Sequence, residues 1–209
     1  NCLNFGNPEN ENVMGEFVKF LGKEPSKTKV AFIANAADLY ENKWFIDDDR
    51  KKWKELGFNL IEIDIRNKNY SELKKELETF DVIYVAGGNT FYLLQETLKS
   101  GLNKIIIELL EKGVIYCGGS AGAVLVCPSI ESVKVLDDPK LAPELETYDA
   151  LNLVDFIVLP HYSEKYKDTY NKILADYKNC EFVKIDDNQA IIVEGDKYRI
   201  IWGNYEKLF

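Results

Sequence analysis

Short runs rich in valine, isoleucine and aromatic residues alternate along this chain with longer stretches of helical character, and that alternation constrains the fold most. The runs are 29–34, 59–65, 81–86, 114–117 and 156–159, each of strand length and flanked by turn-forming or polar residues. Between the first four lie helix-like stretches at 47–56, 71–79, 90–99 and 103–112, with Gly57 and Gly101 placed as stops. Strands separated by helices pair in parallel through right-handed crossovers. The expected fold is therefore α/β: an open, mostly parallel sheet with helices on both faces. Further on, 164–178 reads as a helix, and 181–185, 190–193 and 198–202 read as strands. Glu194-Gly195-Asp196-Lys197 is a hairpin turn between the last two. No repeat, low-complexity segment or linker interrupts the pattern, so 1–209 reads as a single domain, a length that supports one substantial core.

Composition narrows the partners. A formal net charge of -9 argues against nucleic acid and against anionic membranes, because phosphate neutralisation needs a basic face and no Lys/Arg cluster stands clear of acids. The apolar runs fall short of the roughly 18 residues of a membrane span, and no basic segment leads into an apolar signal core. The expectation is a soluble, cytoplasmic protein, monomer or homodimer. Cys2, Cys117, Cys127 and Cys180 are widely spaced with no C-x-x-C pair, so they predict neither a zinc site nor a disulfide framework. Cys117 and Cys127 read as small buried hydrophobes, and no metal or cofactor is expected.

In an open parallel sheet, ligands collect at the carboxyl ends of the strands. Three motifs fall there: Gly87-Gly88-Asn89, Gly118-Gly119-Ser120-Ala121-Gly122 and Pro160-His161-Tyr162. The second delivers a serine from an apolar strand onto a Gly-x-Ser-x-Gly turn that opens a small-residue segment, the pattern of a nucleophile elbow. Such a run also serves as a plain tight loop, so the pattern alone is weak. A serine nucleophile needs a base, and His161 is the one histidine of the chain. The orienting carboxylate is not chosen by the residues themselves; Asp137, Asp138, Asp186 and Asp187 are all candidates, and each reads equally as a solvated turn aspartate. The N–H of Ala121 is the usual first oxyanion donor of an elbow, and the Gly87-Gly88-Asn89 loop is placed to give a second, with Asn89 or Thr90 capping the following helix.

The segments Ala86-Gly87-Gly88-Asn89-Thr90-Phe91, Gly119-Ser120-Ala121-Gly122-Ala123, Cys127-Pro128-Ser129-Ile130, Asp149-Ala150-Leu151-Asn152-Leu153-Val154 and Pro160-His161-Tyr162 together resemble the dipeptidase E family of serine peptidases, which includes cyanophycinases. The resemblance implies a flavodoxin-like sheet related to class I glutamine amidotransferases, and hydrolysis of short peptides. It implies Ser120 as nucleophile, His161 as base, and backbone donors at Gly88 and Ala121. Asp137-Asp138-Pro139 matches the Asp-x-Pro segment that carries the triad aspartate in dipeptidase E, which favours Asp137; the segment here is a few residues longer, which keeps Asp138 in view. Asp187 resembles the acid that cyanophycinases carry after the histidine and is the alternative.

The family's arginine for an N-terminal aspartate has no match after His161, where Lys165, Lys167 and Lys172 stand instead; the arginines are Arg50, Arg66 and Arg199. Aspartyl preference is accordingly not expected from the residues, and the 133–150 connection is expected to wall or cover a small cleft. The competing expectations are a cyanophycinase-like or other acyl hydrolase, and a non-catalytic flavodoxin-like binding module that keeps the elbow as architecture.

Overall fold

The computed structural model of the protein describes residues 2–5 and 11–203. In chain order the strands are β1 (Cys2–Phe5), β2 (Lys29–Ile33), β3 (Asn59–Glu62), β4 (Val82–Val85), β5 (Ile115–Gly119), β6 (Ile157–Leu159), β7 (Phe182–Lys184), β8 (Gln189–Glu194) and β9 (Lys197–Trp202). The helices are α1 (Glu11–Leu21), α2 (Trp44–Glu55), α3 (Tyr70–Leu77), α4 (Thr90–Ser100), α5 (Leu102–Glu111), α6 (Ala121–Leu125) and α7 (Lys167–Asp176).

Seven strands form one sheet in the order β3-β2-β4-β5-β1-β8-β9. The first five of these are parallel, and β8 and β9 extend the sheet antiparallel. The twofold alternation of strand side chains divides the core. Val30, Phe32, Val82, Tyr84 and Cys117 face one side, where α1 and α2 cover them with Phe17, Ile46 and Trp53. Ala31, Ile33, Ile83, Val85 and Tyr116 face the other, beneath α3, α4, α5 and α6. Helices thus lie on both faces, as the alternating pattern predicts. Cys117 and Cys127 are buried free thiols, and burial pushes the Cys127 thiol up to about 12, so it is inert as a nucleophile. No helix of the described residues is long and apolar enough to cross a membrane.

The 156–159 run departs from expectation. It forms β6, which does not join the main sheet but pairs in parallel with β7 in a separate two-stranded sheet. The main sheet is closed on that side by β1, which enters between β5 and β8 and takes the ladder position a further crossover strand would occupy. The segment after β6 nevertheless reaches the carboxyl end of β5, because Val158 N–H donates to Cys127 Sγ at 3.3 Å, tying the small sheet to the chain just past α6.

Candidate active site

Ser120 sits between β5 and α6 with φ +48° and ψ -107°, a region that residues carrying a Cβ rarely adopt. Strain of this kind costs roughly 1–3 kcal/mol and persists where surrounding packing enforces it. The enforcement is visible in the glycines. A Cβ on Gly122 would lie 2.0 Å from Val85 O, and one on Gly118 would lie 2.5 Å from Gly122 C, so α6 begins with its backbone laid directly on β4 and β5. Tyr116 Oη–H donates to Gly122 O at 2.6 Å and clamps the same turn. Gly122→Ala must displace backbone rather than a side chain, and we expect a loss of about 3 kcal/mol or more in chemical denaturation. A loss under about 0.5 kcal/mol, the range of a neutral surface change, would contradict this packing.

The other groups arrive from the small sheet. Ile185 N–H donates to Leu159 O at 3.1 Å and Tyr162 N–H donates to Ile185 O at 2.9 Å, so the β6–β7 ladder runs on past both strands. It carries His161 and Asp187 side by side. Tyr170 Oη–H donates to Pro160 O at 2.6 Å and fixes the backbone just before His161, whose own φ is +58°. His161 Nε2 lies 2.9 Å from Ser120 Oγ, and Nδ1 lies 2.5 Å from Asp187 Oδ1. With the proton on Nδ1 the imidazole donates to Asp187 and presents a lone pair to the Ser120 hydroxyl. The hydrogen bond from His161 holds the Asp187 carboxyl below the usual carboxylate range, against the opposing effect of burial. This arrangement can move a hydroxyl proton to the imidazole and hold the resulting cation.

The three remaining candidate acids bond other groups. Asp137, the acid that the Asp-x-Pro resemblance favours, does not bond His161. Its Oδ2 accepts from Thr90 N–H at 2.8 Å and from Thr90 Oγ1–H at 2.5 Å, at the start of α4. The reason is the path of the 133–150 connection, which lies along α4 rather than over β6. Asn89 Nδ2 donates to Asp138 O at 3.1 Å, Glu144 N–H donates to Gln95 Oε1 at 2.9 Å, and Lys99 pairs with Glu144 at 2.7 Å. Asp138 caps its own turn by accepting from Lys140 N–H at 3.0 Å, and Asp186 accepts from Asn188 N–H at 2.8 Å. Both fit the turn reading of an aspartate.

The glycine loop after β4 closes the site. A Cβ on Gly87 would stand 3.2 Å from Ser120 Cβ, which places this loop against the serine, and a Cβ on Gly88, whose φ is +144°, would lie 2.2 Å from Ala36 C. Ala121 is the first residue of α6, so its N–H has no acceptor within the helix. Asn89 caps α4 by accepting from Tyr92 N–H at 2.9 Å. Ala121 and Thr90 border a cleft of about 600 Å³ whose lining also includes Ser120, His161, Asp187, Asp137 and Tyr170, with Val133 and Leu136 of the connection as one wall. The connection's many bonds to α4 make it a fixed wall.

Residues 3–201 match the sequence profile of peptidase family S51. An uncharacterized peptidase of Listeria innocua is 38% identical over 189 residues, covering 90% of both chains. A peptidase E of Nostoc is 29% identical over 85% of this chain and 69% of its own. Among solved structures, a protein of Listeria monocytogenes provisionally assigned as a peptidase E superposes with a TM-score of 0.88 at 34% identity, covering 98% of both chains. A peptidase from an acI-B1 actinobacterium shares the fold, with a TM-score of 0.71 at 19% identity over 96% of this chain and 86% of its own. Sequence match and superposition agree along nearly the whole chain: it belongs to peptidase family S51.

Proposed function

We propose that this peptidase is a serine hydrolase of short peptides, built as a single catalytic domain, in which Ser120 attacks the scissile carbonyl, His161 takes its proton and Asp187 orients the imidazole. The observation that carries the reading is the hydrogen-bonded series from Ser120 Oγ to His161 Nε2 at 2.9 Å and from His161 Nδ1 to Asp187 Oδ1 at 2.5 Å. In the first half-reaction the Ser120 oxygen bonds to the carbonyl carbon, the oxygen of that carbonyl gains negative charge, and the proton resides on His161. The N–H groups of Ala121 and Gly88 are the donors for that charge. Collapse of the intermediate breaks the C–N bond while His161 protonates the leaving amine, and water then repeats the sequence to free the acyl group.

Size supports a small substrate. A cleft of about 600 Å³ suits a dipeptide or tripeptide, and the bonded 133–150 wall blocks a folded chain. Charge argues against strict aspartyl preference. Arg66 is committed to Asp64, Arg50 to Asp47 and Glu62, and Arg199 to Glu16, and no arginine lines the cleft. A substrate side-chain carboxylate therefore lacks the bidentate guanidinium that would read it. A cyanophycinase-like activity is the second reading, favoured by the acid standing after the histidine in sequence.

One assay separates these. A dipeptide library, cyanophycin and casein are offered to the purified protein, with Ser120→Ala as the blank. We expect cleavage of dipeptides with varied first residues and no digestion of casein. Rapid casein digestion would overturn the small-cleft reading, and cleavage of cyanophycin alone would replace the leading reading by the second.

A further inference from the structure

We infer that Val135 and Leu136 form the subsite for the side chain on the acyl side of the scissile bond, and that this subsite selects an aliphatic side chain of leucine or methionine size. The inference deepens the peptidase reading above and rests on it for the position of the scissile bond.

The cleft has two walls of different chemistry. One comes from the small sheet and the segment after it, and presents Pro160, His161, Asp187 and Tyr170. The other comes from the connection, where Val133, Val135 and Leu136 line the same space. Val124 of α6 extends that apolar surface to the nucleophile, since its N–H donates to Ser120 O at 3.1 Å. Val133 is buried and serves as the footing, its carbonyl accepting from Leu136 N–H at 2.8 Å and from Asp137 N–H at 3.0 Å. Val135 and Leu136 stand on that turn 49% and 38% exposed. Large apolar side chains held open to water on a fixed wall gain free energy when another apolar group covers them.

The reaction decides which part of a peptide covers them. His161 protonates the leaving amine, so the leaving residue faces the wall that carries His161. The acyl residue's side chain branches from the carbon bonded to the attacked carbonyl, and the opposite wall is left for it. Charge then narrows the side chain. The lining holds the carboxylates of Asp137 and Asp187, and among the described residues no lysine or arginine lies in it, so an acidic side chain meets like charge. A neutral polar side chain would give up water against valine and leucine without a partner. An aliphatic one meets neither cost.

Alanyl-, leucyl-, methionyl-, aspartyl- and arginyl-alanine share one leaving residue, and alanyl-leucine moves the large side chain to the other side of the bond. We expect kcat/KM for leucyl- and methionyl-alanine to exceed that for alanyl-alanine by about 10- to 100-fold. Aspartyl-alanine should fall about 10-fold or more below alanyl-alanine. Alanyl-leucine should gain much less than leucyl-alanine. Val135→Ser combined with Leu136→Ser should bring the leucyl-to-alanyl ratio to within about 3-fold of one, and a ratio is unmoved by a general loss of activity.

Equal rates for leucyl- and alanyl-alanine would overturn the subsite, as would a preference for aspartyl- or arginyl-alanine. A gain confined to alanyl-leucine would give the wall to the leaving residue and overturn the assignment. A ratio unchanged in the double variant would remove Val135 and Leu136 from it. If that variant does not fold, the wild-type series still decides. Should none of the dipeptides be hydrolysed, the peptidase reading fails, and the Ser120→Ala protein then tests the wall by ligand-observed NMR: tighter binding of leucyl- than of alanyl-alanine retains it, and equal or absent binding rejects it.

Discussion

Ser120→Ala should lower kcat for dipeptide hydrolysis by roughly 10⁵- to 10⁶-fold, the scale seen when a serine nucleophile or its histidine is removed, while the protein stays folded. The hydroxyl contributes little packing, being one oxygen at the mouth of a cleft, and the strained turn is held by Gly118, Gly122 and the Tyr116 clamp rather than by the serine side chain. Ser120→Gly sharpens the test. Glycine adopts φ +48° without the steric cost an L side chain meets, so this variant should be equally inactive yet more stable than wild type by about 1 kcal/mol. A less active but destabilised Ser120→Gly protein would mean that the backbone here is not strained as described. Persistence of wild-type turnover in either variant would remove Ser120 from the chemistry.

Asp187→Asn should cost about 10⁴ in kcat, because the amide keeps the shape but favours the wrong histidine tautomer, the effect measured for the analogous change in a trypsin-like enzyme. Asp138→Asn should cost almost nothing, since its carboxylate caps only its own turn. Asp137→Asn should cost far less in kcat than Asp187→Asn, because its carboxylate bonds Thr90 rather than His161. A 10⁴ loss of kcat confined to Asp137→Asn would restore the Asp-x-Pro aspartate as the orienting acid and contradict the geometry. If none of the three loses kcat, the site works as a serine–histidine pair.

The main sheet was legible because its strands carry dense β-branched and aromatic runs between helices stopped at Gly57 and Gly101. β2, β3, β4, β5, β8 and β9 all fall within or beside the runs read from sequence, and Gly195 turns the β8–β9 hairpin at φ +59°. β1, only four residues long, and α1 lie before the first run; β1 is too short to read by composition, whereas α1 carries a helical spacing of apolar residues at Val13, Met14, Phe17 and Leu21 that the strand runs alone do not use. The separate pairing of β6 with β7 was also hidden, because a three-residue strand does not reveal its neighbour by composition.

That pairing is what brings Asp187 beside His161. The ladder sets Leu159 opposite Lys184, so the residues just past the two strands, His161 on one and Asp186-Asp187 on the other, emerge together. A reader who paired 156–159 with 181–185 in parallel had a signal for the 186–187 segment. Asp-x-Pro, by contrast, is a local similarity, and the partner of Asp137 depends on how the 133–150 connection lies across α4, which is set by tertiary bonds such as Gln95 to Glu144. The Ser120 turn and His161 stand out in the sequence for a different reason: the chain offers one histidine, and the glycines around Ser120 are demanded by backbone contacts as close as 2.0 Å.

The most direct test of the account is covalent labelling by a small fluorophosphonate, read by mass spectrometry of the intact protein and of its peptides. A single adduct should form on Ser120, its rate should fall steeply in His161→Gln and in Asp187→Asn, and an excess of a cleaved dipeptide should protect against it. An adduct on another residue, or labelling of Ser120 at an undiminished rate without His161, would contradict the proposal that this serine is activated by that histidine.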